Sequence, residues 1–208
     1  MSVNFKDEYG WTSIMWACCY GLHDIVELLL DHSYSNIDLN ASNDGGMTAL
    51  ILACCNGHKN VVQLLLDHSN QNLDLNLNAR NLLGTTAFSM ACKNGHKDVV
   101  QLLLVHSERI ELNARGNNEE TAFMLACRNG QKDVVKLLLD HSDGIELNAR
   151  RNDDGWTAIM HACRLEHKHV VKLLLEYPEV IDVNVPESFY LSKEIKNLIE
   201  MHKVTVQK

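Results

Sequence analysis

From residue 11 to residue 185 the chain alternates between two kinds of apolar stretch. The first is short and dense in small and apolar residues, as in Ala49-Leu50-Ile51-Leu52-Ala53-Cys54. The second, such as Lys97-Asp98-Val99-Val100-Gln101-Leu102-Leu103-Leu104, spaces its apolar residues at helical intervals. Both predict helices, the first only about two turns long. A threonine before each short stretch can accept an orphan backbone N–H and cap it. A glycine at Gly21, Gly57, Gly95 and Gly130 supplies the left-handed stop, while Glu166 breaks that series. Extended pieces such as Ile110-Glu111-Leu112-Asn113, with a turn at Gly46, Gly84 or Gly155, predict a projecting finger between units. Glu119 stands where the fourth finger's glycine is expected.

The alternation is periodic. An Ala-Cys pair returns at Ala17, Ala53, Ala91, Ala126 and Ala162, in steps of 36, 38, 35 and 36 residues. Five residues before each alanine stands Thr12, Thr48, Thr86, Thr121 or Thr157. Triple leucines end at Leu30, Leu66, Leu104, Leu139 and Leu175, and Asn40, Asn78, Asn113, Asn148 and Asn184 close the units. Five helix-turn-helix units in one array are the consequence.

These residues resemble the ankyrin repeat, whose units run about 33 residues with a Thr-Pro-Leu-His-x-Ala signature. Here it reads Thr48-Ala49-Leu50-Ile51-Leu52-Ala53 or Thr157-Ala158-Ile159-Met160-His161-Ala162, and Asn94-Gly95-His96-Lys97-Asp98-Val99-Val100 is close to the family's second helix. Proline and histidine of the signature are replaced throughout. The first loss forfeits preorganisation at the helix start and the second a hydrogen bond between units. The resemblance implies an all-α solenoid with β-hairpin-like fingers and units at about 8–43, 44–81, 82–116, 117–151 and 152–185. The loop after each second helix, such as His68-Ser69-Asn70-Gln71-Asn72-Leu73, is read as the source of the extra length.

Solenoid ends need a solvent-facing side. Residues 186–208 are expected to form a cap and tail, with Ser192 starting a helix that carries Ile195, Leu198 and Ile199. Met1 to Asp7 is too short for a proximal cap, so Phe5 is expected to fold back over the first unit.

A net charge of −8, from 19 basic and 27 acidic residues, argues against nucleic acid and against a cationic membrane patch. Apolar runs are too short to span a bilayer, and Met1 to Gly10 has no signal-like core. Seven cysteines, an odd count, fit free thiols in a reducing cytoplasmic setting. A monomer without cofactor or metal is expected.

Candidate chemistry dissolves into repetition. Cysteines 18, 54, 92, 127 and 163 follow the packed alanine, and neighbouring helices ~8–10 Å apart hold equivalent thiols too far from one another for a disulfide or a shared metal. Cys19 and Cys55 turn toward the concave side. His32, His68, His106 and His141, each before a serine, read as helix C-caps rather than a hydrolytic set. His58, His96 and His167 are structural turn residues, and His161 reads as a satisfied core histidine. Arg80, Arg115 and Arg150, with Glu111 and Glu146 nearby, read as ion pairs more readily than as a grip for an acidic partner. No catalytic residue emerges, so the chain is read as a non-enzyme.

Positions free to vary remain. By resemblance, ankyrin proteins bind partners through finger tips and the exposed side of first helices. The corresponding residues are Tyr9, Trp11, Cys19 and Tyr20 in the first unit, and Asp44, Met47, Cys55 and Asn56 in the second. Leu82, Leu83, Thr85 and Lys93 follow in the third, and Asn117, Asn118, Glu120 and Arg128 in the fourth. Asp153, Asp154, Trp156, Arg164 and Leu165 complete the fifth. The tryptophans are either binding hot spots or packed onto neighbouring fingers. A scaffold or adaptor for another protein or peptide is the functional expectation, with an inhibitor that covers an enzyme's active surface, host-directed or not, as the alternative.

Overall fold

The computed structural model describes residues 3–31, 37–72, 75–186, 189 and 191–206. Helix pairs follow the sequence pattern: α1 (Ser13–Tyr20) with α2 (His23–Asp31), α3 (Ala49–Asn56) with α4 (Lys59–Asn72), α5 (Ala87–Asn94) with α6 (Lys97–Leu104), α7 (Ala122–Arg128) with α8 (Lys132–Asp140), and α9 (Ala158–Arg164) with α10 (Lys168–Leu175). The first helices pack on one another in an inner row and the second helices in an outer row. Helix α11 (Lys193–Val206) covers α10 as the distal cap. Ser192 Oγ accepts its Ile195 N–H at 3.4 Å, and Ile195 and Ile199 are buried.

One elongated core runs through the stack. Ile14, Leu50, Phe88, Phe123 and Ile159 fill it from successive inner helices, and all five Ala-Cys pairs are buried beside them. Burial pushes the Cys18 and Cys163 thiols up to about 12 and raises those of Cys54, Cys92 and Cys127 as well. These sulfurs are packing atoms.

Polar side chains clamp unit to unit. Asn113 Oδ1 accepts the Glu146 N–H while its amide donates to the Gly144 carbonyl, and Asn78 and Asn148 repeat this on the following units. Turn histidines make a second ladder: His58, His96 and His167 donate Nε2–H to the carbonyls of Cys19, Cys55 and Arg128 at 2.8–2.9 Å, and Gln131 does the same to Lys93. The bridge forfeited with the signature histidine is thus made from another position. The arginine ladder is consumed internally, as expected. Arg80 donates to the Arg115 carbonyl and pairs with Glu111, Arg115 reaches Arg150 O and Glu146, and Arg150 pairs with Asp182.

Each finger is a hairpin-like turn rather than a strand pair. Asn81 N–H bonds the Thr85 carbonyl, and neighbouring fingers join through single backbone bonds such as Leu82 N–H to Gly45 O.

Four expectations need correction. The segment 68–72 is not a loop, since α4 continues through Asn72; Leu73 lies outside the described residues. Phe5 does not fold back: it is 63% exposed, and so are Leu22, Ile25 and Leu28, at 44%, 47% and 56%. Ile25 occupies the place of Val61, Val99, Val134 and Val170, each of which the preceding unit buries. His141 caps its helix through the Leu137 carbonyl, but His68 lies inside α4 and His106 precedes a 3-10 turn; His32 is outside the described residues. Threonine caps form in the middle units (Thr48, Thr86, Thr121), whereas the Oγ atoms of Thr12 and Thr157, each following a tryptophan, are buried without a partner.

The two glutamates that break the glycine series adopt the glycine backbone, with φ of 60° at both Glu119 and Glu166. Neighbours explain why. A Cβ on Gly57 would meet the His96 ring at 2.4 Å, but no sixth turn histidine follows Glu166, whose carboxylate instead accepts from Ser192. At Glu119 the fifth finger is one residue longer and bonds the carboxylate through Asn152. Gly57→Ala is therefore expected to cost about 2 kcal/mol or more, from backbone strain plus displacement of a ring. Glu166→Gly should change stability by no more than about 1 kcal/mol, with strain relief offsetting the lost Ser192 bond. Urea denaturation of the two variants checks both values.

Candidate protein-binding face

The inner helices and the fingers present the candidate concave side, with side chains the stack does not consume, and at the third and fourth units residues of both line one cleft. Tyr9, Tyr20, Leu82 and Leu83 are each more than 60% exposed there. Asn56, Asn117, Asn118, Arg128, Asp153, Asp154, Arg164 and Leu165 are also exposed, while Trp11, Met47, Lys93 and Trp156 are half-buried. Thr85 is buried, and so is Glu120 at 3%, so Glu120 is not the open position the sequence suggests.

At the first unit the groove carries an aromatic stack. Trp11 and Trp16 lie face to face with centroids 4.2 Å apart, and Tyr20 stacks on Trp16 at 5.8 Å. Trp16 Nε1–H donates to Asp7 Oδ2 at 3.2 Å, and Asp7 Oδ1 accepts the backbone N–H groups of Tyr9 and Trp11. These bonds, the one to Trp11 foremost, hold the Asp7 carboxyl below its usual range. Trp11 also packs against the cluster of Met15, Ala41 and Leu52. Sequence reasoning missed Trp16. It occupies the variable place before the signature alanine, where Leu52, Met90, Leu125 and His161 recur, and that register was the available signal.

Between the third and fourth units, Leu83, Lys93, Asn118, Leu125 and Arg128 line a small cleft of ≈ 70 Å³ with Glu120 at its floor. Glu120 Oε2 accepts from Arg128 Nη1 at 2.7 Å, reaching across eight residues. Its other oxygen lies 3.6 Å from His161 Nε2, and both atoms are buried without a hydrogen bond. His161 is thus not the satisfied core histidine expected. Burial, reinforced by Arg128 and Arg151, lowers its pKa to about 4. Trp156 packs on the His161 ring at 5.1 Å, and Phe189 meets Trp156 edge-on at 4.8 Å, so this tryptophan is engaged within the chain.

Other chemistry is sparse. Partial burial, then the neighbouring Cys55, raises the Cys19 pKa, which keeps that thiol protonated at neutral pH. His23, Asp24 and Glu27 bring ligand-type atoms within 4.8 Å on α2, where His23 and Asp24 already contact one another at 3.3 Å. Among the described residues no helix is long and apolar enough to cross a membrane.

The His161 environment has a pH signature. Neutral in the fold but titrating near 6.5 once unfolded, it makes stability fall as pH drops from about 6.5 toward 4, where the folded state also takes up the proton. His161→Gln is expected to reduce the stability lost between pH 7 and pH 5 by about 1 kcal/mol, a value discounted for solvent screening at the groove. Urea midpoints at the two pH values measure this.

No curated protein matches the chain closely enough to count as a relative. The family model described as "Ankyrin repeats (3 copies)" matches residues 1–79, 70–151 and 89–187, overlapping spans that cover the whole helix-pair array. With the stacked pairs, the glycine stops and the hairpin-like fingers in place, the chain belongs to the ankyrin-repeat family, whose members are protein-interaction modules and typically not catalysts.

Proposed function

We propose that this chain is a non-catalytic scaffold or adaptor that holds a partner protein or peptide along its concave groove. One observation carries the reading: the Trp11, Trp16 and Tyr20 stack is locked by packing and by Asp7, yet leaves Trp16 38% and Tyr20 63% exposed. Rigid aromatic rings bury large areas at small entropic cost, which is the physics of an interface hot spot. Leu82 and Leu83 extend apolar surface along the finger tips. Buried, unpaired thiols support a reducing compartment, the cytoplasm, and the net charge of −8 supports a protein rather than a nucleic acid as partner. The chain acts as a monomer in this reading.

A Trp16→Ala/Tyr20→Ala variant is the test. Both side chains lie outside the core, but the variant removes the Trp16 stacks and the bond to Asp7, so urea denaturation should show a loss of about 2 kcal/mol with the fold retained. Binding of the partners captured by the unaltered chain should weaken about thirtyfold, the loss of a single hot spot of about 2 kcal/mol. A folded variant that retains every partner at full affinity removes the aromatic stack from the interface.

A further inference from the structure

One row of the groove changes chemistry along the stack. The residue after each Ala-Cys pair is Cys19, Cys55, Lys93, Arg128 and Arg164 in turn, neutral in the first two units and cationic in the last three. Lys93 and Arg128 line the same cleft as the finger residues Leu83 and Asn118, which places this row on the concave side. Its backbone is fixed, because Gln131 donates to the Lys93 carbonyl and His167 to that of Arg128. Arg128 is further held by buried Glu120, whose bond to Nη1 leaves the arginine side chain 46% exposed. Lys93 and Arg164 make no ion pair among the described residues, although the chain as a whole carries a charge of −8. The nearby finger acids Asp153 and Asp154 are engaged by Arg151.

Resting on the proposed groove-binding role, we infer that the occupant of this half of the groove is an acidic segment of a partner protein in the polyproline II conformation, with carboxylates at every third residue. The spacing follows from geometry. Units stack ~8–10 Å apart, and a polyproline II chain advances ~3.1 Å per residue with three residues per turn, so side chains three positions apart share one face and meet successive cations. The aromatic stack lies two units before Lys93, which places an apolar side chain of the same segment about six residues, or two polyproline II turns, from its nearest carboxylate.

Synthetic thirteen-residue peptides test this, built on a serine-glycine background with tyrosine at position 1 and glutamates at positions 7, 10 and 13. The same peptide is made in reversed order, and an isomer carries its three glutamates contiguously. Fluorescence polarisation at low and high salt reads binding. The better of the two spaced peptides should bind about threefold tighter than the contiguous isomer and weaken at high salt. Arg128→Ala would strand buried Glu120, so the informative variant is Lys93→Gln/Arg164→Gln, expected to weaken binding about fivefold with an unchanged melting temperature. If Trp16→Ala/Tyr20→Ala abolishes binding while the Lys93/Arg164 variant does not, the groove is real and the acidic assignment is wrong. Equal binding of the spaced and contiguous isomers overturns the assignment as well. So does no saturable binding by any peptide, or tighter binding of a lysine counterpart or a twelve-nucleotide oligothymidine.

Discussion

Every unit depends on the one beside it. A pair of short helices cannot bury both of its faces, and only a neighbour stacked at ~8–10 Å removes the second face from water. That distance dictates the residue types. Alanine and cysteine recur where inner helices approach, while larger residues such as Phe88 and Phe123 point into the interior. It also leaves backbone groups at every unit boundary that need partners, and the asparagine, histidine and arginine ladders supply them. Each clamp reaches from one unit into the next, so the polar contacts reinforce the apolar stack.

The proposed binding face consists of what stacking leaves over. Residues on the inner helices and fingers that touch no neighbouring unit are free to differ, and here they differ by end. Aromatic rings collect at the first unit, and cations occupy the last three. The transition at Lys93 gives the groove a polarity along its length that no single unit possesses. His161 and Glu120 show the limit of that freedom, since both lie at groove positions yet are buried by Trp156 and Arg128.

Most of the fold was legible because repetition multiplies weak local signals. Thr86 as a cap, Gly95 as a stop and Asn113 at a unit's end each mean little singly, but five copies in register define helix pairs and their order. Departures arose where a side chain's fate depends on a distant contact. Nothing local to Glu120 announces that Arg128 will draw it inward, and nothing local to Ile25 says that, unlike Val61 or Val99, it is left uncovered by any other described unit. The polar residues after Leu66 read as a loop, but without proline or glycine the helix continues through them to Asn72. The candidate site residues were chosen by register alone. The register included Trp16, but its place before the signature alanine is an interior one in other units, where Leu52, Leu125 and His161 are buried.

Glu166 bears on how such a chain can change in length. Its left-handed backbone and its Cβ are accommodated because α11, rather than a sixth turn histidine, lies beyond the fifth unit. Duplicating a unit in the middle of the array leaves every turn glycine facing the histidine ring, or at Gly95 the Gln131 amide, that it must clear. Appending one at the distal end would set a new imidazole against Glu166. Growth by internal duplication is therefore open to this sequence, while extension from its far end first requires that glutamate to become glycine.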